Sequence, residues 1–155
     1  YFKVHYPLAF YAAYLSRKAE DFNFETLGTP EKARIRLEEL SKEGKLDVKK
    51  KAEQALCEVM IEMEARHIEL LPIDLYHSAG KKFLIQGDKI RVPLIALAGL
   101  GGAVIDNILE ERQKESFISI EDFKKRTKVS QTIVEKMKDL KIIENMNETN
   151  QISLF

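Results

Sequence analysis

The residues of this sequence best suited to chemistry are glycines placed before an apolar, helix-like run. Gly99, Leu100 and Gly101 form a Gly-Leu-Gly tripeptide, and Gly102 follows it. Glycine lets the backbone turn tightly and lets a ligand approach closely. Amides at a helix start lack intrahelical partners and lie at the positive end of the helix dipole. The tripeptide therefore indicates an anion pocket suited to a phosphate, although such a segment can also be a plain connector between packed helices.

A second turn has the same arrangement without glycines. Lys128, Val129 and Ser130 stand between two helix-like runs, and Val129 takes the place that Leu100 has in the first turn. Ser130 is a suitable cap for the next helix, and the amides of its first turn, which includes Thr132, could meet a phosphate. Two short helices joined by such a turn form a helix-hairpin-helix element. The sequence therefore predicts a tandem of two such elements.

Positive charge is concentrated around the second turn. Glu135 is the only acidic residue from Lys124 to Lys138, a stretch whose basic residues are Lys124, Lys125, Arg126, Lys128, Lys136 and Lys138. Such a run is often a solvated helix face, but its coincidence with the turn favours contact with DNA phosphates. Phosphates carry no base information, so this grip would not depend on nucleotide sequence.

The last five residues have the pattern of a linear docking peptide: Gln151, Ile152, Ser153, Leu154 and Phe155. Residues 145–150 before them are polar and predict a flexible tail. Leu154 and Phe155 would be apolar anchors in a pocket of a partner. Gln151 would supply hydrogen bonds, with Ile152 and Ser153 as spacers. The alternative is a tail that folds back over its own core.

No catalytic or metal-binding constellation is predicted. The histidines and the single cysteine lack the spacing of metal ligands relative to one another: His5, His67, His77 and Cys57. The one carboxylate pair, Glu121-Asp122, falls in the first turn of a predicted helix. Negative charge is stabilising there without any role in catalysis.

Composition limits the kinds of partner. The 155 residues carry 25 Lys+Arg and 25 Asp+Glu, so nucleic acid would be held by a local patch or by backbone groups. A hydrophobic content of 45% is enough for a core. No apolar stretch approaches the roughly 20 residues of a membrane helix, and a single cysteine fits a reducing cytoplasm. The opening Tyr1, without Met or a signal peptide, suggests a piece of a longer protein.

Periodicity and turn signals predict a mainly α fold in three regions. Residues 1–72 are helical, with helices that start at Pro7, run from Thr29-Pro30 to Gly44, and run from Val48 to Arg66. Residues 73–144 contain a small β-hairpin around Gly87-Asp88. Two short helices flank the Gly-Leu-Gly turn, and further helices run over 119–126 and 130–140. Ser119 with Asp122 resembles a capping box. Residues 145–155 form the tail.

Segments along the whole chain resemble, in order, those of bacterial family C DNA polymerases, the α subunit of polymerase III. Residues 1–14 are similar to part of the family's fingers domain. The later segments follow in family order: 74–78, the hairpin with 92–94, Gly99-Leu100-Gly101, and 117–123 with Arg126. The last five residues resemble the family's sliding-clamp-binding peptide, and a chain that stops there resembles the PolC type.

The resemblance implies that residues 73–144 form a tandem helix-hairpin-helix domain that grips primer–template duplex DNA behind the active site. Residues 151–155 would bind the β sliding clamp, and residues 1–72 would complete the fingers. The family's metal-binding aspartates, which use Mg²⁺, lie in a palm that is absent here. No catalytic residue, metal or cofactor is therefore assigned to this chain. Its partners would be the duplex, the clamp and the rest of a cytoplasmic polymerase, with no membrane.

Two other functions remain open at this point. A clamp-tethered repair or lesion-bypass factor can also carry helix-hairpin-helix elements, although it has no reason to contain the fingers-like residues 1–14. A protein-interaction scaffold without DNA contact would use Gly99-Leu100-Gly101 only as a connector.

Overall fold

The computed structural model describes residues 2–144, 146 and 147, with the side chain of Phe2 left out. It is mainly helical with a small sheet, as predicted. None of the described helices is long and apolar enough to span a membrane. The helices are α1 (Phe2–His5), α2 (Pro7–Arg17), α3 (Phe24–Leu27), α4 (Pro30–Ser41), α5 (Val48–Ala65), α6 (Gly102–Lys114), α7 (Ile120–Thr127) and α8 (Gln131–Asp139). The strands are β1 (Leu70–Leu71), β2 (Leu84–Gln86) and β3 (Lys89–Arg91).

Local capping signals place the starts of the two long N-terminal helices. The Thr29 hydroxyl accepts the Lys32 N–H of α4 at 3.2 Å, and the Asp47 carboxylate accepts the Lys50 N–H of α5 at 2.8 Å. These side chains satisfy amides that have no partner inside the helix. Helix α4 ends at Ser41, before the predicted Gly44, because its last turn tightens into bonds between residues three apart.

The sheet contains the predicted hairpin and one strand that was not predicted. Strands β2 and β3 pair antiparallel, and Gly87 between them has a φ of 65°, as the tight turn requires. Strand β1 pairs with β3 in parallel, which gives the order β1-β3-β2. Strand β1 has two residues, which is too short for an alternating apolar and polar pattern to show in the sequence. Ile90, in the central strand, is fully buried.

One buried apolar cluster extends from α2 to the end of α8 and crosses the predicted boundary at residue 72. Phe22 and Phe83 meet edge to face with ring centroids 5.2 Å apart. The Phe83 N–H donates to the Ser16 hydroxyl at 2.9 Å. The division of the chain into regions 1–72, 73–144 and 145–155 stays a prediction. Of the last region, only Met146 and Asn147 are described.

The segment before the Gly-Leu-Gly turn differs from the prediction of a short α-helix. A single 3-10 turn, Leu94–Ala96, stands there, and the helix after the turn is 13 residues long. The Leu94 N–H donates to the Ala79 carbonyl and the Ile95 N–H to the Gly80 carbonyl, both at 2.9 Å. The turn does not continue as an α-helix, because Leu97 directly after it has an extended backbone (φ −82°, ψ 110°).

Candidate nucleic-acid interface

The first hairpin turns between Gly99 and Gly101. Gly99 has a φ of 91°, and a Cβ there would lie 3.0 Å from the Ile133 Cδ1 atom, so this position requires glycine. Leu100 packs into the core with 7% of its surface exposed. Gly101 is extended (φ −74°, ψ 159°) and precedes α6. Its carbonyl accepts the Ile105 N–H at 3.0 Å, which begins the helix.

The second hairpin has the same backbone course with different residues. Lys128 is left-handed with a φ of 65°, Val129 is 5% exposed, and Ser130 is extended at φ −78° and ψ 158°. The Ser130 carbonyl accepts the Val134 N–H at 3.0 Å and begins α8. The predicted match of Val129 with Leu100 is therefore confirmed by the backbone.

The two hairpins are related by one spacing in the sequence, which is the separation along the chain from Gly99 to Lys128. This repeat spacing pairs the left-handed positions, the buried turn positions and the helix-start positions, and it also pairs buried residues inside the helices. The pairs are Gly99 with Lys128, Leu100 with Val129, Gly101 with Ser130, Ile105 with Val134, and Ile108 with Met137. The two elements are thus a structural repeat.

Each hairpin is held by a side chain from the helix of the other. The Asn107 amide of α6 donates to the Thr127 carbonyl at 3.0 Å, just before the second hairpin. The Lys136 ammonium of α8 donates to the Ala98 carbonyl at 3.2 Å, just before the first. Asn107 and Lys136 are separated by the repeat spacing, and so are Ala98 and Thr127. Reciprocal contacts of this kind indicate that the repeats pack about a pseudo-twofold axis.

The fold itself does not require glycine at positions 101 and 102. A Cβ at either position would meet nothing within 4 Å, and Gly101 has an ordinary negative φ. Gly101 also offers no side chain to cap α6, whereas the Ser130 hydroxyl accepts the Ile133 N–H of α8 at 3.3 Å. The absence of side chains here leaves the first-turn amides of α6 open to an external acceptor.

The basic run of the sequence divides into inward and outward side chains, and Arg126 faces inward. It is 13% exposed, and its guanidinium lies 4.5 Å from the centroid of the Phe117 ring. It donates to the carbonyl oxygens of Glu111 (2.6 Å), Glu115 (3.0 Å) and Ser116 (3.2 Å). Arg126 therefore satisfies the C-terminal end of α6 and is not placed for phosphate contact.

The outward side chains surround a shallow depression beside the second hairpin. Lys125 and Lys128 are exposed, and the Lys124 ammonium donates to the Gln131 amide oxygen at 2.7 Å. The depression is lined by Ile120, Glu121, Lys124, Lys125, Lys128, Val129 and Gln131. Thr132 is exposed in the first turn of α8. Phosphate binding by the predicted site residues stays a prediction.

The ionisable groups nearest Arg126 are engaged in ion pairs. The Lys114 ammonium, 2.6 Å from the Glu111 carboxylate, and then Arg126, hold the pKa of Glu111 below its usual value. Glu111 is therefore ionised at neutral pH and helps to fix Arg126. In α5, burial raises the pKa of the Cys57 thiol to about 11, which fits a core residue without reactivity.

The described residues do not offer a magnesium site. No group of three or more His, Cys, Asp or Glu side chains among them is arranged to hold a metal ion. Two-metal catalysis needs such a cluster, so no chemical step is assigned to these residues. The predicted docking peptide, residues 151–155, lies outside the described part of the chain.

Sequence reasoning missed the supporting residues of the hairpins. It placed Arg126 and Lys136 in a phosphate-facing run and did not single out Asn107. The available signal was the repeat spacing, which makes Lys136 the equivalent of Asn107 and the buried Phe123 the equivalent of the buried Leu94. A run of charges alone does not indicate which side chains face inward.

Comparisons with known proteins agree with this architecture. A family model described as a helix-hairpin-helix motif matches residues 67–152, which include both hairpins. Over its whole length the chain is 43% identical to the PolC-type DNA polymerase III of Thermotoga petrophila. It is 40% identical to that of Clostridium perfringens and 38% to that of Streptococcus pneumoniae. The chain spans 11% of the length of each of these relatives. The resemblance found in the sequence is confirmed.

Arg126→Ala is expected to lower the free energy of unfolding by about 2–4 kcal/mol, because it leaves several helix-end carbonyls and the Glu111 carboxylate without their donor. The exposed neighbour provides the control, since Lys125→Ala should change stability by less than about 0.5 kcal/mol. Chemical denaturation of both variants measures the difference. Equal midpoints for the two would contradict the inward role of Arg126.

Proposed function

Because this chain belongs to the helix-hairpin-helix family and is similar along its whole length to part of PolC-type DNA polymerase III, we propose that it grips duplex DNA for a replicative polymerase. The duplex would be the primer–template behind the active site. Residues 151–155 would tether the polymerase to the β sliding clamp in the cytoplasm. The polymerisation step is placed outside this chain.

The observation that carries the proposal is the pair of matched hairpins. Each buries one apolar residue in its turn and begins a helix at the same backbone angles. A helix start offers N–H groups and the positive end of a dipole, which suit a phosphate. Gly101 and Gly102 add room for close approach at α6, where glycine serves no packing purpose. A plain connector would not need this open backbone.

The charge balance favours a grip that is weak and indifferent to sequence. Lys125 and Lys128 are the exposed lysines nearest the second hairpin, and contacts from few lysines release few counterions from DNA. Phosphate contacts position a protein without reading bases. Such a grip suits a polymerase that must move along its template.

Tethering to the clamp would compensate for the weak grip. A clamp-bound polymerase meets DNA at high effective concentration, so two modest contacts together give tight retention. The proposal for residues 151–155 rests on their sequence pattern and on the similarity to PolC-type polymerases. Similarity over the whole chain favours this interpretation over a repair factor that shares only the hairpins.

Gly102→Ala tests the open helix start. The added methyl group should lie where a phosphate approaches, and affinity for a duplex should fall roughly 10-fold, as expected for one lost hydrogen bond to a charged group. Folding stability should be unchanged or raised by up to about 1 kcal/mol, because alanine fits a helix better than glycine.

The control for that test is Gly44→Ala, since a Cβ at Gly44 also meets nothing within 4 Å. Its duplex affinity, measured by fluorescence anisotropy, should equal that of the wild type. If Gly102→Ala binds DNA as well as Gly44→Ala does, the first hairpin is only a connector.

Lys128→Asn tests the second hairpin. Asparagine tolerates a positive φ, so the fold should persist, while the slope of log K against log salt should become shallower by about 0.9 for one lost phosphate contact. Lys141 is a matched control, because it is also exposed and has a φ of 60°. Lys141→Asn should keep the wild-type slope, and equal slopes for the two variants would remove Lys128 from the interface.

The double substitution Leu154→Ala/Phe155→Ala tests the tether. We expect it to abolish binding to a purified bacterial sliding clamp, because the apolar anchors of a short peptide carry most of its affinity. Duplex affinity should be unchanged. Thr149→Ala/Asn150→Ala alters the same tail outside the anchor residues and should bind the clamp normally. Titration calorimetry with both variants decides, and equal binding would end the clamp assignment.

A further inference from the structure

The two reciprocal contacts that hold the hairpins differ in charge. Asn107 meets the Thr127 carbonyl with a neutral amide, whereas Lys136, at the equivalent position, meets the Ala98 carbonyl with an ammonium. Since a neutral amide already serves this contact at one hairpin, the charge at the other requires a separate explanation.

The explanation is a second partner from outside the repeat. The Lys136 Nζ atom lies 3.0 Å from the Glu25 Oε1 atom of α3. This oxygen is buried and has no partner of hydrogen-bond geometry among the described residues, so the ammonium is its nearby counter-charge. The backbone of Glu25 is fixed as well, because its N–H donates to the Asn23 side chain at 2.9 Å. The lysine thus joins α3 to the carbonyl just before Gly99.

We propose that Lys136 is a positioning residue that couples the first hairpin to α3. A displacement of α3 would be transmitted through the ion pair to Ala98 and to the turn at Gly99. At the second hairpin the equivalent contact comes from the neutral amide of Asn107, so that hairpin would not respond in this way. This inference deepens the proposed function and rests on it where DNA binding is concerned, although the coupling can be measured without DNA.

The repeat itself supplies a variant that separates the two contacts. Lys136→Asn places in α8 the residue that stands at the equivalent position of α6. By symmetry it should keep the contact to the Ala98 carbonyl while it loses Glu25. Glu25→Gln removes the charge from the other side with little change in shape. Lys136→Arg, which keeps the positive charge and can reach both acceptors, is the conservative control.

The decisive measurement is amide hydrogen exchange of the full chain by NMR. Glu25→Gln and Lys136→Asn should each speed exchange of the Leu100 amide, which is bonded to the Leu97 carbonyl at 3.2 Å, by roughly 3- to 10-fold, in line with the coupling energies of contacting residues. Exchange of the bonded amides of Lys128 and Val129 in the second hairpin should stay as in the wild type, and so should exchange at all three residues in Lys136→Arg. The double variant should exchange no faster than the more affected single variant.

Equal acceleration at both hairpins, or none at the first, would overturn the proposal, since either result means that Lys136 has only a general structural role or none. Glu25→Gln decides alone if Lys136→Asn fails to fold. Duplex titrations over a range of salt concentrations then test DNA binding separately from the coupling through Lys136. In these, Lys136→Asn should lower affinity roughly 3- to 10-fold with an unchanged salt slope, because no phosphate contact is lost.

An altered slope in those titrations would make Lys136 a phosphate ligand and overturn its role as a positioning residue. If the wild-type chain binds no duplex, the proposed function fails while the exchange experiment still decides the coupling.

Discussion

The backbone geometry of the hairpin turns constrains the rest of the candidate interface. Each turn must bury an apolar residue, and the next residue must have an extended backbone from which a helix starts. Lys128 adopts a left-handed conformation to do so, which costs a non-glycine residue about 1–2 kcal/mol. Burial of Val129 contributes about 1.5–3 kcal/mol, which offsets the strain. Gly99 faces a further restriction, because a Cβ there would lie 3.0 Å from the Ile133 Cδ1 atom, which is closer than an ordinary van der Waals contact.

The acidic residues of the repeat restrict where a phosphate can approach. Asp106 in α6 and Glu135 in α8 are both exposed and stand at equivalent positions of the repeat, one turn beyond the helix starts. A phosphate that moved along either helix would meet a negative charge, so the favourable position is confined to the first turn of each helix. On the proposed function, the repeat would hold a duplex at two helix starts and repel it elsewhere. That arrangement fits a chain whose formal net charge is zero.

Sequence reasoning succeeded where the signals are local and failed where distant contacts decide. The caps at Thr29 and Ser119, the turn at Gly87 and the match of Val129 with Leu100 follow from short-range chemistry, and all are found in the structure. The two-residue strand β1 and the 3-10 turn before Gly99 depend on hydrogen bonds to distant segments. The inward direction of Arg126 and Lys136 depends on helix packing, which a charge run does not encode. The docking peptide lies outside the described residues and stays a prediction.

The hairpin region and the helices of residues 1–72 are joined by direct packing and polar contacts. Besides the pairing of β1 with β3, the ties that cross residue 72 include the edge-to-face pair of Phe22 and Phe83, the hydrogen bond from the Phe83 N–H to Ser16, and the ion pair of Lys136 with Glu25. Phe83 is 4% exposed, so removal of the N-terminal helices would uncover a large apolar side chain, which is destabilising. Duplex DNA held at the hairpins would therefore keep a fixed position relative to these helices. Packed interiors of this kind transmit strain, so on the proposed function a shift of the N-terminal helices would also move the bound duplex.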